Sequence, residues 1–463
     1  MLFNSFAFLA FFAILVPTYY LTPHRYRWLL LVAASLFFYA TFRIDYLALL
    51  FAVSAVSYGA SLLMDGGPER PALHTRPPVL RRAVLGASIA AIAGGLAAAK
   101  LLPSAGFAGA AGLSFYSLSA ISYLVDVYRR GLAAERHFGR LLLYLAFFPK
   151  LLAGPIERAR PFLEQLANPV AFSSARVVAG LQLILWGLFK KVVIADRLAA
   201  FVDTAYRQPD FASPADLVIA TYFFAFQLYC DFSGYSDIAI GAARVLGFDL
   251  MENFRRPYLS ASVAEFWSRR WHVSLATWFR DYVYIPLGGS RTSRLRYALN
   301  LMTVFLLSGA WHGANWTFVI WGGLNGLYVV ASTALRRQRA ADRPRAAIRA
   351  VRVIVTFHAV LVTWVFFRAA SLSDAATIFE RTVRAVPLLP RLLWVRLQDP
   401  AILLAMATIA VLVIVEIADE GRPVWDRLSE RPVALRWAVY YALAAALVVL
   451  GTWNLRQFVY MQF

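Results

Sequence analysis

Long apolar runs recur through the whole chain, and they constrain its fold more than any other feature. An α-helix needs about 20 such residues to cross a hydrocarbon core of roughly 30 Å. Because hydrocarbon offers no hydrogen bonds, the backbone of each run must satisfy itself by forming a helix. Hydrophobic residues make up 60% of the 463 residues, a share that excludes an ordinary soluble domain. We therefore predict an all-α, polytopic protein forming a single membrane domain, residues 1–463.

The pattern predicts about 11–12 spans together with shorter interfacial helices. The predicted spans cover residues 2–21, 28–42, 46–64, 83–102, 107–128, 178–198, 217–229, 297–311, 316–333, 353–367, 402–417 and 437–453. Between the fifth and sixth spans, the segment FFPKLLAGPIERARPF carries Pro149, Gly154 and Pro155. Proline removes a backbone donor and breaks helices, so we predict a re-entrant or interfacial segment buried in protein.

The basic charge sets the expected orientation of these spans. The formal net charge of +20 comes mainly from arginines in the short loops, which the positive-inside rule places in the cytoplasm. This interpretation excludes a nucleic-acid partner and puts both termini outside the cytoplasm. Residues 2–21 lack a basic start and a small-residue cleavage site, so we expect a retained first span. The single cysteine, Cys230, excludes a disulfide framework.

The most polar stretch, residues 230–315, contains two of the six histidines, His272 and His312. Ionisable groups at membrane depth are costly and often mark function. Gly309 and Gly313 flank His312 and leave room beside an imidazole suited to proton transfer, although a structural histidine would also fit. For His272, an interfacial anchor is the alternative. Neither histidine has acidic or cysteine neighbours at metal-ligand spacing, so we predict no metal site.

A second polar group follows the seventh predicted span and contains Asp231, Ser233, Tyr235 and Asp237. These residues either line a substrate path or cap the end of the span. The arginines of residues 253–296 either hold a phosphate-bearing donor or fix the topology and contact anionic lipids. The residue pattern alone leaves both pairs of alternatives open.

Four motifs resemble the membrane-bound O-acyltransferase family, and within it the bacterial alginate O-acetyltransferase branch. They read FFPKLLAGPIERARPF, YCDFSGYSDIAIGAARVLGFDLMENFRRPY, FWSRRWHVSLATWFRDYVYIPLGGSR and SGAWHGANWTFVIWGGLNG. The resemblance implies a helical fold around a central tunnel, with His312 as the catalytic base and His272 as a second catalytic residue. Asn253, Trp311 and Asn315 also lie in these motifs, and we expect them to line the tunnel with the Asp231–Asp237 cluster.

The resemblance also implies the reaction. An acyl group, expected to be acetyl from acetyl-CoA, moves from the cytoplasm toward hydroxyls of an exported or cell-wall polysaccharide, with no bound cofactor. The expected location is the bacterial inner membrane, and the expected partner is a periplasmic acetyltransferase that delivers the group to the polysaccharide. The ending QFVYMQF suggests Tyr460 as a transient acyl carrier, with an aromatic belt residue as its alternative.

Two other interpretations remain at this stage. Peptidoglycan or teichoic acid is an alternative acceptor, since the acceptor would be selected by the partner. A secondary transporter or lipid flippase would also contain many spans and broken helices. The two halves of the chain show no convincing internal repeat, which disfavours the transporter.

Overall fold

A computed structural model describes residues 1–65, 77–101, 110–338, 346–453 and 458–459. Within these ranges every regular element is a helix and none is a strand. The chain divides into two compact units. One comprises residues 1–184, 235–252 and 457–463, and the other comprises residues 185–234 and 253–456. The all-α prediction is confirmed, while the single-domain prediction remains a prediction.

The first unit is built from the N-terminal helices and the second part of one long helix. Its helices are α1 (Phe6–Leu21), α2 (His24–Ala40), α3 (Tyr46–Asp65), α4 (Pro78–Leu101), α5 (Leu113–Tyr128), α6 (Phe138–Ala146), α7 (Phe148–Leu151), α8 (Ala159–Ala167) and nearly all of α9 (Ser174–Leu188). Aromatic rings fill its core. Tyr235 stacks on Phe3 with ring centroids 4.7 Å apart and meets Phe458 edge-on at 4.6 Å.

The second unit begins with the last four residues of α9, which a π-helix, Phe189–Ala195, continues. Its other helices are α10 (Asp196–Arg207), α11 (Pro214–Val245) as far as Gly234, α12 (Val263–Glu265), α13 (Val273–Phe279), α14 (Arg294–His312), α15 (Trp316–Gln338), α16 (Ala346–Arg368), α17 (Leu372–Arg384), α18 (Leu389–Arg396), α19 (Pro400–Asp419), α20 (Val424–Ser429) and α21 (Val433–Leu450). Two further π-helices, Phe266–Arg270 and Arg280–Tyr284, flank α13, and a 3-10 turn covers Pro257–Leu259.

Eight helical segments within the described residues are long and apolar enough to cross a bilayer. They are Tyr46–Asp65, Pro78–Leu101, Ser174–Arg207, Pro214–Val245, Trp316–Ala334, Ala346–Arg368, Pro400–Asp419 and Val433–Leu450. The prediction of about 11–12 spans also counted shorter elements. Helices α1, α2 and α5 have 16, 17 and 16 residues. The polytopic architecture is thus confirmed, and eight of the predicted spans reach full length.

The predicted end of the seventh span is wrong. We placed it near Tyr229, with the polar residues after it as a possible cap. Instead α11 runs without interruption from Pro214 to Val245 and carries those residues in its interior. The polar side chains have partners inside the protein, so they do not interrupt the helix.

The broken segment before α9 has the predicted character. Pro149 stands in the first turn of the four-residue helix α7, where its missing donor is harmless. All residues from 141 to 157 are buried. Such non-helical backbone is stable in a membrane protein only where protein surrounds it.

The α14–α15 hairpin forms as predicted, although α14 begins three residues earlier and α15 ends five residues later than expected. Glycine permits its close packing. A Cβ atom added to Gly322 would lie 2.4 Å from the carbonyl oxygen of Phe305. A Cβ added to Gly309 on the facing helix would lie 2.4 Å from the carbonyl oxygen of Phe318. The small residues next to His312 therefore admit a neighbouring backbone.

This packing generates a stability prediction with a control on the adjacent residue. Gly322→Ala should lower the free energy of unfolding by about 1–3 kcal/mol, because the backbones must move apart. At Gly323 an added Cβ would meet only a side-chain carbon of Leu306 at 3.9 Å. Gly323→Ala should therefore be neutral or slightly stabilising, since alanine favours helix by up to about 1 kcal/mol. Thermal unfolding of the purified variants in detergent measures both, and equal melting temperatures would contradict the packing argument.

Candidate active site

The two histidines of the polar stretch line one cavity in the second unit. The cavity has a volume of about 390 Å³, and its wall includes both His272 and His312. Half of the twenty residues that line it are apolar: Ala264, Trp267, Trp271, Leu275, Ala276, Phe279, Leu301, Val304, Phe305 and Val329. A cavity lined by apolar and aromatic side chains together with polar groups is typical of a small-molecule site.

His272 occupies a strained backbone position at the start of α13. Its φ of 43° lies in the left-handed region, which non-glycine residues seldom adopt. The side chain is 2% exposed, and its ring meets the edge of Phe232 with centroids 4.6 Å apart. A strained residue at a cavity wall is a common feature of functional sites, because the surrounding structure must stabilise the strain.

A buried asparagine holds this strained turn in place. The carbonyl oxygen of Asn253 accepts the Val273 N–H at 2.9 Å. Its side-chain Oδ1 accepts the Ser274 hydroxyl at 2.8 Å and the Ser274 N–H at 3.3 Å. Nearby, the Arg255 N–H donates to the carbonyl oxygen of Arg270 at 2.8 Å. The chain around Asn253 thus pairs with the backbone on both sides of His272 and holds the strained turn.

The environment also sets the protonation state of His272, which lies outside the spanning helices. Burial disfavours the charged imidazolium and lowers the pKa of His272 to about 3. The ring is therefore neutral around pH 7. A neutral imidazole can accept a proton through one nitrogen or donate a hydrogen bond through the other.

His312 is the last residue of α14, and aromatic rings enclose it. Its ring centroid lies 4.8 Å from Trp311, 5.1 Å from Trp321 and 5.2 Å from Phe367. The helix ends here because Gly313 adopts an extended conformation. With 4% exposure, the imidazole reaches the outside chiefly through the cavity.

Basic residues also contribute to the cavity wall, and these are exposed. Arg269 and Arg280 line the cavity beside Ser268. Arg280 pairs with Asp281 at 2.8 Å. Arg269 has no ion-pair partner within the part of the chain that the structure describes. The wall thus includes both exposed arginines and buried histidines. A ligand whose charged group binds at the surface can therefore reach the imidazoles with the rest of its chain.

Asp231 and Ser233 lie in a buried polar network between α11 and the π-helix that follows α9. Lys191 Nζ lies 2.6 Å from Asp231 and 2.9 Å from Asp196. Lys190 Nζ donates to Ser233 Oγ at 3.0 Å. The pairing of opposite charges offsets the cost of burying these groups at membrane depth. Neither Asp231 nor Ser233 belongs to the cavity wall in the described structure.

The other predicted site residues have separate positions. Tyr235 and Asp237 belong to the first unit. Trp311 contacts both histidine rings, the farther being His272 at 6.3 Å. Asn315 donates to the carbonyl oxygen of Ala370 at 2.8 Å and accepts the Thr317 N–H at 3.2 Å, so it tethers a loop.

Tyr460 lies outside the described residues, and its role as an acyl carrier remains a prediction. Asn253 positions the turn instead of lining the cavity described above. Within the described chain, no three His, Cys, Asp or Glu side chains cluster closely enough to hold a metal ion.

Sequence reasoning missed the lysines and a buried glutamate. Lys190 and Lys191 lie inside the predicted span 178–198, and Glu416 lies inside the predicted span 402–417. Glu416 accepts a hydrogen bond from the Tyr229 hydroxyl and is 8% exposed. An ionisable residue within a predicted span was the available signal, and it indicates a partner on another helix.

Comparison with known proteins gives matches to one family of enzymes. Residues 130–372 match the model of the MBOAT, membrane-bound O-acyltransferase family. The probable alginate O-acetylase of Azotobacter vinelandii is 36% identical across 99% of both chains. The peptidoglycan O-acetyltransferase of Helicobacter pylori is 32% identical over 76% of this chain and 73% of its own. The teichoic acid D-alanyltransferase of Bacillus subtilis is 29% identical over 46% of this chain and 55% of its own.

The hydrogen bonds of Asn253 predict how the histidine turn responds to substitution. Asn253→Ala should lower the free energy of unfolding by about 1–3 kcal/mol, because both Ser274 donors lose their buried acceptor. Ser274→Ala is the matched control, since it removes the hydroxyl but keeps the N–H bond to Oδ1. Its effect should stay near 1 kcal/mol. Thermal unfolding in detergent compares them, and an Asn253→Ala protein as stable as the control would disprove the bracing role.

Proposed function

This chain belongs to the membrane-bound O-acyltransferase family, and we propose that it moves an acetyl group from a cytoplasmic donor toward hydroxyls of an exported polysaccharide. Membership makes it a multi-span O-acyltransferase. The observation that carries the proposal is the cavity that His272 and His312 share. Both imidazoles are buried there, yet they face a space whose wall also includes exposed arginines. A thioester donor can therefore bind with its charged part at the surface and its acyl group beside the histidines.

His312 acts as the general base in this proposal. Its imidazole accepts the proton of the acceptor hydroxyl while the hydroxyl oxygen attacks the thioester carbonyl carbon. The tetrahedral intermediate then collapses, the carbon–sulfur bond breaks, and the new ester forms. The thiolate leaves with the proton that the imidazole returns. The reaction needs no metal, oxidant or bound cofactor, because one hydroxyl proton replaces one acyl group on sulfur.

His272 contributes as a neutral partner in the same cavity. Its depressed pKa keeps it uncharged, so it can donate a hydrogen bond to the thioester carbonyl oxygen without adding a buried charge. Asn253 and the paired backbone hold the turn that carries this histidine, and the rings of Phe232 and Phe254 pack against its imidazole. Preorganised donors stabilise a developing oxyanion better than mobile ones, because no reorganisation is needed during the reaction.

The cavity suits acetyl-CoA as the donor. Its apolar wall of tryptophan, phenylalanine and leucine side chains fits the pantetheine arm. Arg269 lines the cavity, and its exposed guanidinium suits the phosphates, since arginine and phosphate form strong charge-assisted hydrogen bonds. The basic loops support a cytoplasmic entry for this donor and a location in the bacterial inner membrane.

The acceptor is proposed from the relatives. Several relatives carry the name probable alginate O-acetylase, with 36% to 39% identity over most of this chain. They support an exported polysaccharide as the acceptor, reached through a periplasmic acetyltransferase partner. Tyr460 remains our candidate for an acyl carrier between His312 and that partner. The peptidoglycan O-acetyltransferase match supports cell-wall polymer as the second candidate acceptor.

Substitution of the two histidines tests the proposed mechanism in cells. His312→Ala and His272→Ala should each lower the acetyl content of the acceptor polymer by about 100-fold or more, the usual contribution of a general base or its partner. His358→Ala is the control, because that side chain pairs with Tyr222 and lies away from the cavity wall. Acetate is measured in both exported polysaccharide and peptidoglycan, after each variant is shown to be expressed and folded.

These measurements also identify the acceptor class. Loss of acetate from exported polysaccharide would support the proposal, and loss from peptidoglycan would support the second candidate. Wild-type acetylation in the His312→Ala strain would reject the mechanism.

Substitution of Arg269 tests the proposed binding of the acetyl-CoA donor. Arg269→Gln should raise the KM for acetyl-CoA about tenfold and leave kcat nearly unchanged, because one charged hydrogen bond to phosphate is lost. Arg291→Gln removes an equal charge from an exposed residue of the same basic stretch and should leave KM unchanged. Release of CoA by purified protein, supplied with a hydroxyl acceptor, measures both constants. A pure fall in kcat would show that Arg269 does not bind the donor.

A further inference from the structure

The first unit contains a second cavity, and its wall is strongly basic. This basic pocket has a volume of about 290 Å³. Its polar lining consists of His24, Arg25, Arg27, Arg140, Gln165 and Asn168. No aspartate or glutamate contributes to the wall in the described structure. Three guanidinium groups around one cavity repel one another unless an anion lies between them.

The positive charge of this pocket is not neutralised within the described chain. Arg25, Arg27 and Arg140 form no ion pair with any described residue. The acidic residues adjacent in sequence to the lining have other partners. Glu164 pairs with Arg160 at 2.9 Å, and Asp249 pairs with Arg176 at 3.0 Å. The positive charge of the pocket is therefore available to an anionic ligand from outside the chain.

Three hydrogen bonds hold Arg27, while the other two arginines are exposed, and Arg25 lies over the ring of Tyr26 at 4.7 Å. The guanidinium of Arg27 donates to the carbonyl oxygens of Val170 at 2.6 Å, Thr22 at 2.9 Å and Tyr20 at 3.2 Å. One cation held by hydrogen bonds and two exposed ones form an arrangement suited to an anion with several oxygens, such as a phosphate ester.

The surroundings of the pocket match the headgroup level of a membrane. Tyr19 and Trp28 line it, at the end of the apolar helix α1 and the start of α2. Tyrosine and tryptophan are enriched at that depth because one end of the ring system is polar. Leu21 and Leu29 do not line the pocket but are close to these residues in sequence, and they are 84% and 52% exposed. These side chains offer an apolar surface on which an acyl chain can lie.

We propose that the basic pocket binds the phosphate group of an anionic phospholipid, with Arg25, Arg27 and Arg140 as its ligands. Basic pockets beside spanning helices on the cytoplasmic side are suited to such headgroups. Free phosphate shares this chemistry, but it makes no use of the exposed leucines or the aromatic rings. The site is independent of the acyl-transfer proposal, since its residues belong to a different unit from the histidines.

Lipid retention tests the proposal. The protein is purified from membranes in mild detergent, and bound phosphatidylglycerol and phosphatidylcholine are titrated by native mass spectrometry. Wild type should prefer phosphatidylglycerol. The pair Arg25→Gln and Arg140→Gln should weaken its binding about thirtyfold, from roughly fivefold for each basic residue lost. Arg140→Gln alone should weaken it about fivefold, which keeps the test valid if the double variant is unstable.

The control pair removes the same charge elsewhere. Arg82 and Arg352 are exposed and do not line the pocket. Arg82→Gln with Arg352→Gln should leave phosphatidylglycerol binding unchanged, and an equal loss in both pairs would overturn a specific site. Inorganic phosphate is titrated in parallel by thermal unfolding. A melting shift from phosphate equal to that from phosphatidylglycerol would assign the pocket to a free anion and reject the lipid.

Discussion

Hydrocarbon cannot hydrogen-bond to a polypeptide, and the architecture of this chain depends on that constraint. Most of the described backbone satisfies itself in helices. The stretch between α11 and α13 is the main departure, since residues 246 to 262 contain only a single 3-10 turn. Its backbone polar groups need partners from within the protein. The pairing of Asn253 and Arg255 with the backbone around His272 supplies several of these partners. The same hydrogen bonds therefore satisfy backbone groups of the loop and hold the turn that carries the histidine.

Much of this fold could be predicted from the sequence, because hydrophobic length determines where spanning helices begin and end. The hairpin of α14 and α15, the broken segment around Pro149 and the short helices near α13 all followed from apolar runs, proline positions and arginine-rich stretches. The end of α11 did not. The polar residues after Tyr229 have the appearance of a cap, and only their partners on another helix show that they belong inside.

The site could be predicted in part for a similar reason. Two histidines in a strongly hydrophobic chain indicate function, because burying an ionisable group is costly. Both of them line the cavity. Their neighbours were harder to assign. Asn253 and Asn315 are each bound to backbone groups that only the tertiary structure brings near. A motif shows which residues occur together in the sequence. Whether a polar side chain faces a cavity or stabilises a loop depends on the packing of the folded chain.

The buried lysines have a consequence for how the protein enters the membrane. Lys191 lies within a span, and an unpaired ammonium there costs several kcal/mol. Asp196 is five residues away on the same span and can offset part of that cost as soon as the segment emerges. Asp231, the other partner of Lys191, is synthesised forty residues after it, as part of α11. The segment Ser174–Arg207 therefore gains its full stability in lipid only once α11 has been synthesised, which makes these two spans a cooperative unit of insertion.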